Sequence, residues 1–160
     1  KAYQKAVDAI TKAGSLVKKD PTLLSLKAES HWHLKQTEDA ISTLDAGQQA
    51  FPSDFRFIKR KVFYFVELGL YQEAVRLGKH YLHRSQAAAS DYIALGNALR
   101  LSREYQEALN ILEVARLQFP YDETVAKLLW TVCDASDLLQ IKAQKEALLQ
   151  MPAVCNFLYN

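Results

Sequence analysis

Apolar residues recur along this chain at the three- and four-residue steps of a helix face, and the pattern as a whole returns every 34 residues. The phrases "YQKAV", "TEDAI", "YQEAV" and "YQEAL" align on Ala6, Ala40, Ala74 and Ala108. A medium aliphatic follows each alanine: Val7, Ile41, Val75 and Leu109. Seven residues past the alanines stand Ala13, Gly47, Tyr81 and Ala115. The other half of the period keeps the same register. Its apolar columns are Leu24, Ile58, Tyr92, Ala126; Ala28, Val62, Gly96, Trp130; and His31, Phe65, Leu99, Cys133. These columns lie four and three residues apart, which is one helical face.

Each period therefore predicts two amphipathic helices joined by a short turn. The predicted helices are 2–18, 22–35, 38–51, 54–68, 71–84, 90–102, 105–118, 122–134 and 137–150. Pro21, Pro52, Pro120 and Pro152 fall between helices, where a missing N–H does no harm. Asp20 before Pro21, and Ser53-Asp54, offer N-caps. Gly69 sits in a tight turn that suits positive φ. The repeated alanines mark close helix crossings, where a larger side chain would push the backbones apart. One copy departs from this. Gly78 replaces the Ile10, Leu44 and Leu112 of the other copies, and Tyr81 replaces a small residue. Either the Tyr81 ring fills the volume that Gly78 vacates, or the helix packing changes locally.

A 34-residue helix–turn–helix unit with Tyr-x-x-Ala opening its second helix, a small residue seven further on and a Phe-Pro close (Phe51-Pro52, Phe119-Pro120) resembles the tetratricopeptide repeat. The resemblance covers nearly the whole chain. Of the Trp, Leu-Gly and Tyr usual in the family's first helix, Leu95-Gly96 is the clearest survivor. The resemblance implies an all-α, right-handed superhelical solenoid forming one domain over residues 1–160. Its parts are a partial repeat at about 1–20, repeats at 21–53, 54–87, 88–120 and 121–152, and the start of a further helix at 153–160. The register begins at a second helix and ends inside a first one. The chain is therefore expected to be a piece of a longer array, with Val154, Phe157, Leu158 and Tyr159 packing on preceding helices or on a neighbouring molecule.

The resemblance also implies a concave face lined by first helices. By register that face takes Ser25, Glu29, Trp32 and His33; then Arg56, Lys59, Phe63, Val66 and Glu67; then Ile93, Asn97 and Arg100; then Lys127 and Thr131. Aromatic anchors mixed with Lys and Arg suit a protein or peptide partner. Some family members grip a C-terminal carboxylate with Lys and Asn one turn apart. Here Phe63 follows Lys59 and Ile93 precedes Asn97, so that clamp is not reproduced.

Composition narrows the remaining classes. Half of the residues are apolar and the net charge is +2, so no strongly acidic partner is demanded. The basic residues Arg56, Lys59, Arg60, Lys61, Arg76, Lys79 and Arg84 are interleaved with aromatics. They point around their helices and do not continue into other repeats, against the extended stripe that nucleic acid requires. No apolar run reaches the ~18 residues of a membrane span. Cys133 and Cys155 make no disulfide framework, and the redox compartment stays open. His31 and His33 point to different faces, with His31 in a core column, and His80 and His83 have no carboxylate or cysteine nearby in sequence. No catalytic, cofactor or metal site is expected. The predicted role is a non-catalytic scaffold or adaptor, by analogy in a bacterial secretion or envelope-assembly machine. The alternatives are a recruiting or regulatory region of a larger enzyme or export protein, and nucleic-acid or polysaccharide binding. Self-association through the end helices is a further expectation.

Overall fold

The computed structural model describes residues 2–14, 20–83 and 87–135. They form eight helices and no strand. The helices are α1 (Ala2–Lys12), α2 (Pro21–His33), α3 (Thr37–Ala50), α4 (Arg56–Glu67), α5 (Tyr71–Leu82), α6 (Ala89–Leu101), α7 (Tyr105–Gln118) and α8 (Glu123–Ala135). The expected helix 137–150 and the expected packing of the C-terminal apolar residues lie outside the described residues. The helix expected over 2–18 ends earlier, at Lys12, with Gly14 at a positive φ of 58°, and residues 15–18 lie outside the described residues. The chain divides into two compact units, Lys1–Tyr64 and Phe65–Asn160, with the division inside α4.

Helix starts follow a register of their own. Asp20 accepts from the backbone N–H of Thr22 at 2.8 Å and heads α2, with Pro21 in the first turn. Asp54, 34 residues on, accepts from Arg56 N at 3.1 Å. Asp122 accepts from Thr124 N at 2.9 Å and Val125 N at 3.0 Å, opening α8. The corresponding position before α6 is Ala88, which has no capping side chain. There Asp91 reaches back and accepts from Ala88 N at 2.9 Å.

The turns that follow the first helices are also superposable in register. Lys35, Gly69 and Arg103 all have positive φ, at 64°, 75° and 66°. The next N–H in each case closes on the carbonyl five residues back: Gln36 on His31, Leu70 on Phe65, Glu104 on Leu99. Only one of the three is glycine. The other two accept a left-handed backbone at a cost on the order of 1 kcal/mol each.

Of the four column alanines, Ala40, Ala74 and Ala108 are fully buried, while Ala6 of the partial first repeat is half-buried. In the first unit Ile10, Leu24, Ala28, Ala40, Leu44, Phe57 and Tyr64 form one core, with Trp32 and Phe51 packed against it. A buried side chain such as Leu44 contributes about 1.5–3 kcal/mol. In the second unit Leu95, Leu99, Leu112 and Leu129 are fully buried, joined by Cys133. His31 is buried, and its Nδ1 lies 2.8 Å from Gln36 Oε1, so its polar atom is satisfied inside one repeat.

The departure at Gly78 and Tyr81 has a different cause from the swap within α5. The space beside Gly78 is taken by Leu95 of α6, whose Cδ1 would stand 3.0 Å from an added Cβ. The Tyr81 ring is buried, and its hydroxyl donates to Asp91 Oδ2 at 3.0 Å. Each residue is matched across the helix pair, not by the other.

Candidate partner-binding surface

The expected surface residues of the first unit lie on α2 and α4. Along α4, Phe57, Ile58, Val62 and Tyr64 turn inward. That leaves Arg56, Lys59 and Phe63 outward at i, i+3 and i+7, one helical stripe. Phe63 is 53% exposed, a large apolar side chain in solvent. Its ring centroid stands 6.1 Å from that of Tyr64, in a tilted arrangement.

Beside that stripe, α2 and α4 meet through aromatic and charged groups. The Trp32 and Tyr64 rings are stacked with centroids 3.9 Å apart and planes within 4°. Such a pair contributes about 0.5–1.5 kcal/mol beyond its buried area. Arg60 Nη1 donates to Glu29 Oε2 at 2.7 Å. Glu29 also faces His33, whose Nε2 stands 3.9 Å away, and the His33 ring stacks on Tyr3 of α1 at 4.2 Å. The Tyr64 hydroxyl is buried beside the Arg60 guanidinium without a well-aligned hydrogen bond. Burial pushes the Tyr64 hydroxyl above its ordinary pKa, with the Arg60 charge opposing the shift. Burial also works against the Arg60 charge. The Tyr64 and Glu29 contacts outweigh it, and the guanidinium is held more firmly protonated than usual.

The structure thus brings Glu29, Trp32 and His33 together with three residues the register did not select: Tyr3, Arg60 and Tyr64. The signal for them was present. Glu29 and Arg60 are 31 residues apart, Trp32 and Tyr64 are 32, and Tyr3 and His33 are 30. These are diagonal neighbours, two to four residues off the 34-residue column. Ser25 differs from its expected role. It is only 8% exposed and presents almost no surface to a partner. Arg56 is tied to its own helix start, with Nε on Asp54 Oδ1 at 3.0 Å and Nη1 on Thr22 Oγ1 at 3.2 Å. Lys59 is exposed.

In the second unit the selected residues are more polar and more self-engaged. Val66 is half-buried and Glu67 exposed at the end of α4. On α6, Ile93 is half-buried, and Arg100 donates to Asn97 Oδ1 through Nη2 at 2.8 Å and Nε at 3.2 Å. On α8, Lys127 pairs with Glu123 at 3.5 Å, and Thr131 Oγ1 donates to the Lys127 carbonyl at 2.8 Å. Among the described residues no group of three or more His, Cys, Asp or Glu is placed to hold a metal ion. No described helix is long and apolar enough to cross a membrane.

No family model matches the chain, and no curated protein matches its sequence. Solved structures do match. The chain is similar to "MamA RS-1 ArsTM double mutant", with TM-score 0.78 at 16% identity over 99% of this chain and 88% of that one. It is similar to the Arabidopsis OM64 TPR domain, with TM-score 0.66 at 15% identity over 74% of this chain and 98% of that one. A tetratricopeptide repeat protein from Parabacteroides merdae gives TM-score 0.70 at 17% identity over 93% of this chain. This chain spans 57% of that protein's length. The fold is the all-α tetratricopeptide-repeat fold.

Proposed function

We propose that this chain is a non-catalytic scaffold that binds a partner protein or peptide on the outward face of its first helices. The observation that carries the reading is Phe63. A 53%-exposed phenylalanine shares a stripe with Arg56 and Lys59 beside the stack of half-buried Trp32 on buried Tyr64. Apolar side chains left in water on a rigid, ion-paired shelf are what an interface anchor looks like before its partner arrives. Trp32, Tyr64, Arg60 and Glu29 hold the shelf. Phe63 and Lys59 make the contact. In the second unit the same register selects Val66, Glu67, Ile93, Asn97, Arg100, Lys127 and Thr131 as the partner-facing residues. A secretion or envelope-assembly machine is the setting that the tetratricopeptide resemblance suggests for such a scaffold, and the identity of a partner would decide it.

Selection of binders from a displayed random-peptide library tests the proposal. Peptides selected on the native chain are expected to lose binding to a Phe63→Ser, Lys59→Glu variant. Both substitutions are at exposed sites, so circular dichroism should stay helical. Undiminished binding by the folded variant would move the interaction to another face.

A further inference from the structure

The 34-residue register sets two lysines in equivalent places with unequal surroundings. Lys61 of α4 is nearly buried, its side chain only 12% exposed, and its ammonium pairs with Asp45 of α3 at 2.5 Å. Subtracting one period turns Lys61 into Lys27 of α2, and Asp45 into Thr11 of α1. The cation is kept and the carboxylate is missing. Where that carboxylate would lie, the structure has a cavity of about 300 Å³ between α1, α2 and α3. Lys27, Thr11, Ser42 and Thr43 supply its polar lining, and the buried Ile10 and Leu24 its apolar wall. The Thr43 hydroxyl is committed to the Asp39 carbonyl at 2.7 Å, so Thr11 and Ser42 carry the uncommitted hydroxyls. Among the described residues no carboxylate lines the cavity and none is paired with Lys27.

We infer that this cavity is a carboxylate-binding site. A ligand carboxylate takes the place that the Asp45 side chain holds one repeat later. It accepts from the Lys27 ammonium and from the Thr11 and Ser42 hydroxyls, while a short aliphatic stem lies on Ile10 and Leu24. The chemistry is that of a small free acid or of an acidic side chain on a partner. A half-buried lysine beside an apolar wall favours such an anion over a fully hydrated phosphate, because the stem contributes burial that phosphate lacks. Lys27 stands on a different side of α2 from Glu29 and Trp32. The site is therefore independent of the surface proposed above, and failure of one leaves the other standing.

The test is a titration of isotope-labelled protein followed by NMR, with butyrate as the free acid and with glutamate blocked at both its amino and α-carboxyl groups as the side-chain acid. Saturable shifts are expected at Thr11, Lys27 and Ser42. Lys27→Met should weaken binding about tenfold or more, the effect of removing one charge-assisted partner. Thr11→Asp rebuilds the internal pair of the next repeat and should abolish binding, whereas the uncharged Thr11→Asn should retain most of it. That pair of variants decides the matter even if Lys27→Met folds poorly. Saturation by butyrate alone supports a free acid as ligand, and equal or tighter binding of the blocked glutamate supports an acidic side chain. The proposal is overturned if neither acid gives saturable shifts, if inorganic phosphate shifts the same signals as strongly, or if Thr11→Asp binds undiminished.

Discussion

The α3–α4 pair and the α5–α6 pair solve one packing problem in opposite ways. In the first, Gly47 on α3 leaves room for Phe57 on α4, whose ring lies where a Cβ would be. Thirty-four residues on, the same two positions are Tyr81 and Asp91. The large residue has moved to the other helix, and the contact has changed from a ring over bare backbone to a 3.0 Å hydrogen bond. The exchange adds two polar groups to a buried crossing, and the bond between them satisfies both. The carboxylate of Asp91 then has a second use, because it also replaces the cap that Ala88 cannot provide. The lesson is that the unit of compensation in this fold is the crossing between helices. Neighbours along one helix are the wrong place to look for it.

The largest expected effect comes from breaking the apolar version. Phe57→Ala should cost about 3–5 kcal/mol in urea unfolding, because it empties a site that Gly47 cannot close. The polar version should yield less. Tyr81→Phe removes one bond to a buried carboxylate that still holds Ala88 N, so about 1–2 kcal/mol is expected by the same measurement. A loss as large as that of Phe57→Ala would mean that the two crossings are not equivalent. Gly78→Ala should lie within about 1 kcal/mol of neutral. The added methyl meets the movable end of Leu95 at 3.0 Å. The gain in helix propensity is of similar size to the strain. A cost above ~2 kcal/mol would show that Leu95 cannot yield.

The smallest effect concerns pH. Burial raises the Tyr64 hydroxyl above its ordinary value of 10.0. The folded state therefore keeps that proton longer than the unfolded chain does. The stability this contributes is complete below 10.0 and is lost as pH rises through the higher folded value. Alkaline unfolding followed by circular dichroism should shift to higher pH in Tyr64→Phe. No shift would place the alkaline transition on another group.

The sequence made the helix pairs, the buried alanine column and the Asp20 cap legible, because each rests on local chemistry repeated at one period. The ends of the helices were less so. Residues 54 and 55 were expected in a helix, but α4 begins at Arg56, since Asp54 is used as its cap. Contacts between helices were harder still. Column reading compares residues 34 apart, whereas Arg60 meets Glu29 and Tyr64 meets Trp32 on a diagonal. The same limit hid the partner of Tyr81, which stands on the next helix and had to be found across a crossing. Ser25 fell on the right helix but is buried, and the column spacing alone did not separate it from the exposed positions.

The bonds and stacks described above join residues no more than one repeat apart: Arg56 to Thr22, Arg60 to Glu29, Tyr64 to Trp32. In time, that means little searching. A chain that closes only short loops meets its native neighbours early, and proteins dominated by such local contacts fold in microseconds to milliseconds. Each repeat needs only its neighbours in sequence to bury its apolar face, not a distant end of the molecule.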